Sequence, residues 1–145
     1  MITFIRHAQS TFNAFGDKNK NVPITNFGAE SSSKISGTYD LVICSTLKRA
    51  RQTLDSSKLV YSNIIFSETC REIRDGNQIN LYNGEDENMN NEREEQIVVR
   101  IEEFKSLLKS LSQKYKKIAV ISHFNFLHRL TGHYFGNCEE FKLAL

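Results

Sequence analysis

The sequence predicts an α/β domain built in three layers, α/β/α, with helices on both faces of a mostly parallel central sheet. Three observations favour this class. Short apolar runs rich in β-branched residues alternate with helical stretches along the chain. The runs are continuously apolar, which is typical of strands buried on both faces in a parallel sheet. Unusual polar residues follow several runs, and ligands of open α/β sheets bind beyond such strand ends.

Four short apolar runs are predicted to be strands. They are ITFI (2–5), DLVICS (40–45), NIIFSE (63–68) and KIAVIS (117–122). Each has the length of an ordinary strand. Because parallel strands end on the same edge of a sheet, the residues that follow these runs are expected to lie near one another.

Helices are predicted between the runs from apolar residues that recur at intervals of three and four. The clearest case begins at Ile97, where this spacing describes one face of an amphipathic helix. Acidic residues precede this helix and lysines end it, which complements the helix dipole. Shorter helices are expected over 27–37, 47–57 and 124–135, the last ending near Gly136.

Composition and charge limit the class of protein. The 145 residues are enough for a single domain over 1–145 with a real hydrophobic core. Shares of 39% hydrophobic and 25% charged residues are typical of globular proteins. The formal net charge of +2 gives no reason to expect nucleic acid or a membrane as a partner. No apolar run has the length of a membrane span, and no secretory signal precedes the first predicted strand.

The cysteines and histidines give no sign of a metal site. Cys44, Cys70 and Cys138 are odd in number and far apart, which fits neither a disulfide framework nor a zinc site. His128 and His133 are five residues apart on a predicted helix, so they lie on different faces. We therefore expect reduced thiols, a cytoplasmic location, and no metal or other cofactor.

Cationic and imidazole side chains follow three of the predicted strands. Arg6 and His7 end the first strand, Arg49 lies one turn into the helix after the second, and His123 follows the last. If these side chains converge, their natural ligand is phosphate, since a guanidinium binds two phosphate oxygens at once. An imidazole among these cations should have its pKa lowered by like charge. It would then be neutral and able to attack phosphorus.

A proton donor for the leaving oxygen is expected in SETCREIRDGN (67–77). This segment contains Glu68, Glu72 and Asp75. One of these carboxyls could protonate the departing oxygen and then take a proton from the attacking water. Its pKa would have to be raised by burial or by a neighbouring anion. The residues themselves leave the choice among the three open, and Asp75 falls in a stretch, 74–91, that is predicted to be a long loop.

Four ordered motifs resemble the histidine phosphatase superfamily, which has the phosphoglycerate mutase-like fold. They are RHAQS (6–10), STLKRARQT (45–53), REIRDG (71–76) and VISHF (120–124). The similarity spans nearly the whole chain, and the order of four motifs is far more specific than one Arg-His pair. The length resembles that of a small member without the insertions that cap the site in mutases.

The resemblance implies a role for each motif. His7 is the nucleophile that accepts the phosphoryl group, and Glu72 is the acid and base. Arg6, Arg49 and His123 hold the phosphoryl oxygens.

Further positions are implied by the same resemblance. Ser10 and Asn13 match polar positions that often touch phosphate. Thr25, in VPITNFGAE (22–30), is a candidate helix cap or substrate contact.

Two features of the chain depart from the family pattern. Phe124 stands where the family usually has glycine, so its ring is expected either to narrow the pocket or to point into the core. FKLAL (141–145) ends the chain near where the family's final strand would follow, so the sheet is expected to lack an edge strand. An open edge of that kind could pair with a second copy to form a homodimer.

The resemblance implies a metal-independent phosphatase of the histidine acid type, a phosphoric monoester hydrolase that forms a phosphohistidine on His7. Its substrate would be a phosphorylated small molecule or a phosphoprotein. Three alternatives stay open. They are a phosphoglycerate mutase-type phosphoryl transferase, a protein phosphohistidine phosphatase, and an inactive domain that binds phosphorylated ligands. The short chain argues against the first. Phe124 supports the last, as does the run NQINLYNGED (77–86), which follows REIRDG where the family usually has an aromatic-Glu-Gly segment.

Overall fold

The chain folds around one sheet of five strands in the residues that the structure describes, which are 1–17, 21–74 and 91–144. The structure is a computed structural model. The strands are β1 (Ile2–Arg6), β2 (Ser36–Ser45), β3 (Lys58–Ser67), β4 (Ile118–Ser122) and β5 (Glu140–Leu143). The helices are α1 (Thr11–Phe15), α2 (Asn26–Ser32), α3 (Lys48–Ser56), α4 (Glu94–Ser112) and α5 (Phe124–Thr131), with a short 3₁₀ helix at Glu68–Cys70. Within these ranges, no helix has both the length and the apolar character needed to span a bilayer.

The strand order is β3-β2-β4-β1-β5, and the sheet is mostly parallel as predicted. Both β1 and β2 pair in parallel with β4, and β3 pairs in parallel with β2. Arg6 lies opposite Ser122, and Cys44 lies opposite Ile121. The carboxyl ends of β1, β2 and β4 therefore finish at the same level of the sheet.

Helices cover both faces of the sheet, which confirms the three-layer prediction. On one face α4 and α5 pack against the strands, and the rings of Phe104 and Phe126 meet edge to face at 5.5 Å. The buried positions of α4 have the predicted spacing and are Ile97, Ile101, Phe104 and Leu108. On the other face, Ala50 and Leu54 of α3 pack against a second core.

Two predicted helices are shorter than their sequence pattern. The helix expected over 27–37 ends at Ser32, because the chain from Ser36 onward pairs with β3. The helix expected over 124–135 ends at Thr131 and not near Gly136. Its C-cap is Gly132, whose φ of 80° is easily reached only without a side chain.

The two edges of the sheet differ from the prediction. Residues 141–143 belong to β5, which pairs antiparallel with β1, so the expectation of a missing edge strand is wrong. The run 63–68 was expected to be buried on both faces, and this is also wrong. Its residues 63–67 belong to β3, which within the described residues has a neighbour on one side only and exposes Val60, Tyr61, Ile64 and Phe66. Pairing with a second copy remains a proposal, and β3 and β5 are the two edges of the sheet at which a second copy would pair.

Candidate active site

Three neighbouring strands deliver side chains to one point at the carboxyl edge of the sheet. β1 ends at Arg6 and is followed by His7, while β4 is followed by His123. β2 leads into α3, which carries Arg49. The ring centroids of His7 and His123 are 5.2 Å apart, although the two residues are 116 positions apart in the sequence. The charges of Arg6 and Arg49 act on both imidazoles, so the predicted convergence of these four side chains is found.

His7 is held in one tautomer by its own backbone neighbour. Its Nδ1 lies 2.7 Å from the carbonyl oxygen of Ala8. Because a carbonyl can only accept, Nδ1 carries the proton and Nε2 keeps its lone pair in the neutral ring. Burial lowers the pKa of His7 well below its usual value, and the charges of Arg49 and Arg6 lower it further. Like charge was the expected cause, but burial is the larger one.

A cavity of about 80 Å³ lies beside His7. Pockets that enclose a whole small-molecule ligand have several hundred Å³, so this space suits a compact group such as a phosphoryl. Its described lining residues are Arg6, His7, Ser10, Phe12, Asn13, Arg49, Glu72, Phe124 and Asn125. A larger hollow of about 460 Å³ lies near Met1 and Ile2, at the other end of β1, but Lys109 is the one charged side chain among its described lining. The chemistry therefore favours the smaller cavity.

The two arginines of the cavity are fixed by the protein around them. Arg6 donates to the carbonyl oxygen of Phe135 at 2.9 Å, and its guanidinium carbon lies 5.0 Å from the ring centroid of Phe124. The Nε of Arg6 is buried and has no hydrogen-bond partner among the residues that the structure describes. Arg49 is fully buried, and burial lowers its pKa to about 10. Both guanidiniums therefore stay charged at neutral pH, as an anion site requires.

Glu72 is the carboxyl that the structure brings to this cavity. It is buried, and it accepts hydrogen bonds from the backbone N–H groups of Ile73 at 2.9 Å, Asn125 at 3.2 Å and Phe126 at 3.0 Å. These donors and the charge of Arg49 favour the ionised form, but burial outweighs them and raises the pKa of Glu72 above its usual value. A raised pKa suits a group that must carry a proton near neutral pH.

The other two candidate acids are not brought to the cavity. Glu68 lies in the 3₁₀ helix and does not line the cavity. Asp75 lies outside the described residues, as does most of the stretch 74–91. Among the described carboxyls, Glu72 is therefore the one that fits the predicted role.

His123 lies behind the cavity and not on its described lining. It is fully buried, and its Nε2 lies 2.7 Å from the Oγ of Ser45. Its Nδ1 is buried and forms no hydrogen bond within the described ranges. Burial lowers the pKa of His123 well below its usual value, and Arg49 and His7 add to this effect. A direct contact with phosphoryl oxygens stays a prediction for this residue.

The remaining predicted positions divide into cavity residues and one helix cap. Ser10 and Asn13 line the cavity, and they form a capping box at the start of α1. Thr25 does not line it, so its role as a substrate contact is not supported. Thr25 caps α2 instead, since its hydroxyl accepts from Gly28 N at 2.9 Å and donates to Gln9 Oε1 at 2.8 Å.

Sequence reasoning missed residues that position the loop after β1. Thr53 accepts from the backbone N–H of Ala8 at 2.8 Å and donates to the carbonyl oxygen of Arg49 at 2.8 Å. Its place one helical turn after Arg49 was an available signal. Asn137 donates to the carbonyl oxygen of His7 at 3.1 Å. No sequence pattern indicates that contact, because the two residues are 130 positions apart in the sequence.

Comparison with known proteins gives matches at the level of structure. No protein-family model and no curated protein matches the chain. The alpha-ribazole phosphatase from Shigella flexneri is 24% identical with a TM-score of 0.67, and the match covers 90% of this chain and 79% of that one. The phosphoserine phosphatase from Entamoeba histolytica is 16% identical with a TM-score of 0.67, covering 96% and 87%.

The protein histidine phosphatase SixA, solved with tungstate, is 16% identical with a TM-score of 0.59, and the match covers 94% of this chain and 83% of that one. All three similarities extend over most of both chains. The chain therefore has the fold of these three phosphatases, the phosphoglycerate mutase-like fold.

Proposed function

We propose that this protein is a metal-independent phosphatase that hydrolyses a phosphomonoester through a phosphohistidine on His7. One observation carries the proposal. A buried, neutral imidazole with an unprotonated Nε2 shares a cavity of about 80 Å³ with two charged guanidiniums, Arg6 and Arg49. Such a cavity binds a dianion and presents a nucleophile to it. The similar solved structures include phosphatases for phosphoserine and alpha-ribazole phosphate, which supports the same reaction type.

In the first step, Nε2 of His7 forms a bond to phosphorus on the side opposite the leaving oxygen. The P–O bond breaks, its electron pair stays with that oxygen, and the protonated Glu72 supplies the proton that completes the alcohol. Arg6 and Arg49 stabilise the charge of the transferring group. In the second step, water attacks phosphorus and gives its proton to Glu72. The P–N bond breaks, its electron pair returns to Nε2, and inorganic phosphate leaves.

Replacing the nucleophile tests this mechanism. We expect His7→Asn to lower kcat/KM for 4-nitrophenyl phosphate by about a thousandfold or more, measured with a metal chelator present. The wild type should also take up an acid-labile phosphoryl group from substrate, and the variant should not. His128→Asn is a control, because His128 lies on α5 outside the described lining of the cavity. Undiminished turnover by His7→Asn would remove the proposal, and phosphate binding by a wild type without turnover would indicate an inactive binding domain.

A phosphoprotein is the second candidate substrate, and the similarity to the protein histidine phosphatase SixA favours it. A phosphohistidine peptide and a small phosphomonoester, compared by kcat/KM, would separate the two substrate classes. Isomerisation of a glycerate phosphate would instead indicate a mutase. Cys44, Cys70 and Cys138 are all unpaired, which supports the further proposal that the protein works in the reducing cytoplasm.

A further inference from the structure

The backbone that carries Glu72 is held by side chains, and no strand of the described part of the chain pairs with it. Four consecutive carbonyl groups, from Thr69 to Glu72, each accept a hydrogen bond from a side chain. Arg100 donates to the carbonyl oxygens of Thr69 at 2.8 Å, Arg71 at 2.7 Å and Glu72 at 3.4 Å. Ser122, the last residue of β4, donates to that of Cys70 at 2.5 Å. These contacts satisfy the backbone and leave the segment little freedom to move.

Arg100 reaches this segment from α4 and is almost completely buried, with 9% of its surface exposed. A buried guanidinium needs a partner for its charge, and Glu92 is that partner. Arg100 Nε donates to Glu92 Oε2 at 2.9 Å, and Nη2 donates to Oε1 at 2.7 Å. Together with the three carbonyl contacts, these bonds match the five N–H groups that a guanidinium has.

Glu92 joins the far end of the same segment to Arg100. Its Oε1 accepts from the backbone N–H of Arg74 at 3.0 Å, and its own N–H donates to the Arg74 carbonyl oxygen at 2.6 Å. Burial works against the charge of Glu92, but the hydrogen bond and charge of Arg100 outweigh it and hold the pKa of Glu92 below its usual value. Glu92 is therefore ionised at neutral pH, and together with Arg100 it encloses residues 69–74 from two sides.

The position of the Glu72 carboxyl depends on this enclosure. The carboxyl itself bonds to the first turn of α5, while its backbone is tied to α4 through Arg100. A proton donor works only within hydrogen-bond reach of the oxygen it protonates, roughly 2.6–3.2 Å. We propose that Arg100, held by Glu92, is a positioning residue that aims the Glu72 carboxyl at the leaving-group oxygen. This inference rests on the proposed role of Glu72 as acid and base.

Substrates with different leaving groups test the inference. Arg100→Gln should lower kcat/KM for glycerol 2-phosphate about a hundredfold, the size of a general-acid contribution. It should lower kcat/KM for 4-nitrophenyl phosphate less than about fivefold, because 4-nitrophenolate leaves without needing a proton. A general loosening of the fold or of phosphate binding would reduce both values alike, since both substrates carry the same phosphoryl group.

Three further variants complete the experiment. Glu72→Gln should show the same selective loss of kcat/KM for glycerol 2-phosphate. Because it removes the proton donor itself, it gives the largest loss expected. Arg129→Gln is the matched control, because Arg129 makes an exposed ion pair with Glu94 of α4 and does not contact residues 69–72; both substrates should keep wild-type values. If Arg100→Gln does not fold, as judged by circular dichroism, Arg100→Lys provides the test. A lysine keeps the charge but cannot span the same set of acceptors, so the selective loss should persist.

The outcomes distinguish failure of the positioning role of Arg100 from failure of the proposed phosphatase function. Equal losses on both substrates, or no loss on either, for the Arg100 variant would overturn the positioning role. If the wild type is active and Glu72→Gln is selective in that case, the phosphatase mechanism stands. A wild type that hydrolyses neither substrate would instead overturn the proposed function.

Discussion

The phenyl ring of Phe124 forms part of the wall of the cavity that contains His7. It also lies over the guanidinium of Arg6, with 5.0 Å between the guanidinium carbon and the ring centroid, and next to the exposed Tyr134. Of the two expected roles for this ring, narrowing the pocket is therefore the one that the structure supports. A ring at this position limits how closely a bulky substrate can approach, while a compact phosphate ester can still enter.

Removing the Phe124 ring should therefore change selectivity between large and small substrates. We expect Phe124→Ala to raise the ratio of kcat/KM for a phosphopeptide to that for 4-nitrophenyl phosphate about three- to tenfold, or about 0.7–1.4 kcal/mol. Phe124→Ala also removes the ring that packs on Arg6. Because both substrates need Arg6 equally, this loss lowers both kcat/KM values alike and cancels in their ratio. Phe15→Ala is the control, since Phe15 is 79% exposed and does not line the cavity. An unchanged ratio would mean that the ring does not control access.

Residues of the candidate site were predictable where a cationic or imidazole side chain follows a buried strand in the sequence. Arg6, His7 and His123 are costly to bury without a purpose, and their places at strand ends put them on one sheet edge. The contact of Asn137 with His7 was not predictable, because nothing local distinguishes that asparagine from a surface loop residue. The role of Arg100 was not predictable from the sequence for a related reason. This residue occupies one position of a helix that is otherwise amphipathic, and only the tertiary fold shows that this position faces a buried backbone.

At the level of secondary-structure elements, the close approach of α2 to the loop after β1 depends on one glycine. A Cβ at Gly28 would lie 2.4 Å from the backbone oxygen of Gln9, a distance that real Cβ atoms do not adopt. The same Gln9 oxygen accepts the N–H of Thr25 at 2.9 Å, so neither backbone can move away freely. Gln9 is two residues after His7, and a shift there would be passed to the nucleophile.

We therefore expect Gly28→Ala to reduce both stability and activity. Within a helix, this change normally stabilises by roughly 0.5–1 kcal/mol, but overpacking against backbone costs about 1–3 kcal/mol and should decide the sign. Urea unfolding measures the loss, and kcat/KM for 4-nitrophenyl phosphate measures the effect on the site. Gly136→Ala is the matched control, because its Cβ would meet only Glu139 Oε1 at 3.7 Å. Equal stability of the two variants would show that the approach of α2 is not tight.

A helix or strand was predictable from the sequence to the extent that its buried residues form a regular pattern. The spacing of Ile97, Ile101 and Phe104 indicates α4 well, because one complete face of that helix is covered by the core. The five-residue α1 was not predicted, since it has no buried residue and is stabilised by the capping box of Ser10 and Asn13. β3 begins five residues before the apolar run that predicted it, because its pairing with β2 extends through exposed positions.

For the whole molecule, the buried site lowers the stability of the folded state, and the rest of the fold offsets this loss. Two imidazoles are held neutral by burial, while Arg6 and Arg49 are held charged beside them. In the unfolded chain, both histidines regain an ordinary pKa near 6.5. Folding therefore excludes protons from both rings, and acid should act against the folded state before any carboxyl of ordinary pKa is titrated.

The sign of the pH dependence follows from these lowered values. Above a pH of about 6.5, both histidines are neutral in the folded and unfolded states, and they do not affect the balance. Below that pH, the two histidines bind protons in the unfolded chain but not in the folded protein. The free energy of unfolding should then fall as the pH falls, by at most about 1.4 kcal/mol per pH unit for each histidine. The raised pKa of Glu72 acts in the opposite direction, since that carboxyl favours the folded state once it is protonated.

Urea unfolding of the wild type, of two single variants and of their double variant, measured from pH 8 to pH 5.5, tests this prediction. His7→Asn and His123→Asn should each flatten the decline below pH 6.5, and the double variant should flatten it most. Subtracting the curves cancels Glu72 and the remaining titrating groups, because these are common to all the proteins. Above pH 7.5 the four curves should run parallel, which serves as the internal control. A wild-type stability that is constant or rises between pH 6.5 and 5.5, with variants of the same slope, would mean that the two imidazoles are not kept neutral by the folded protein.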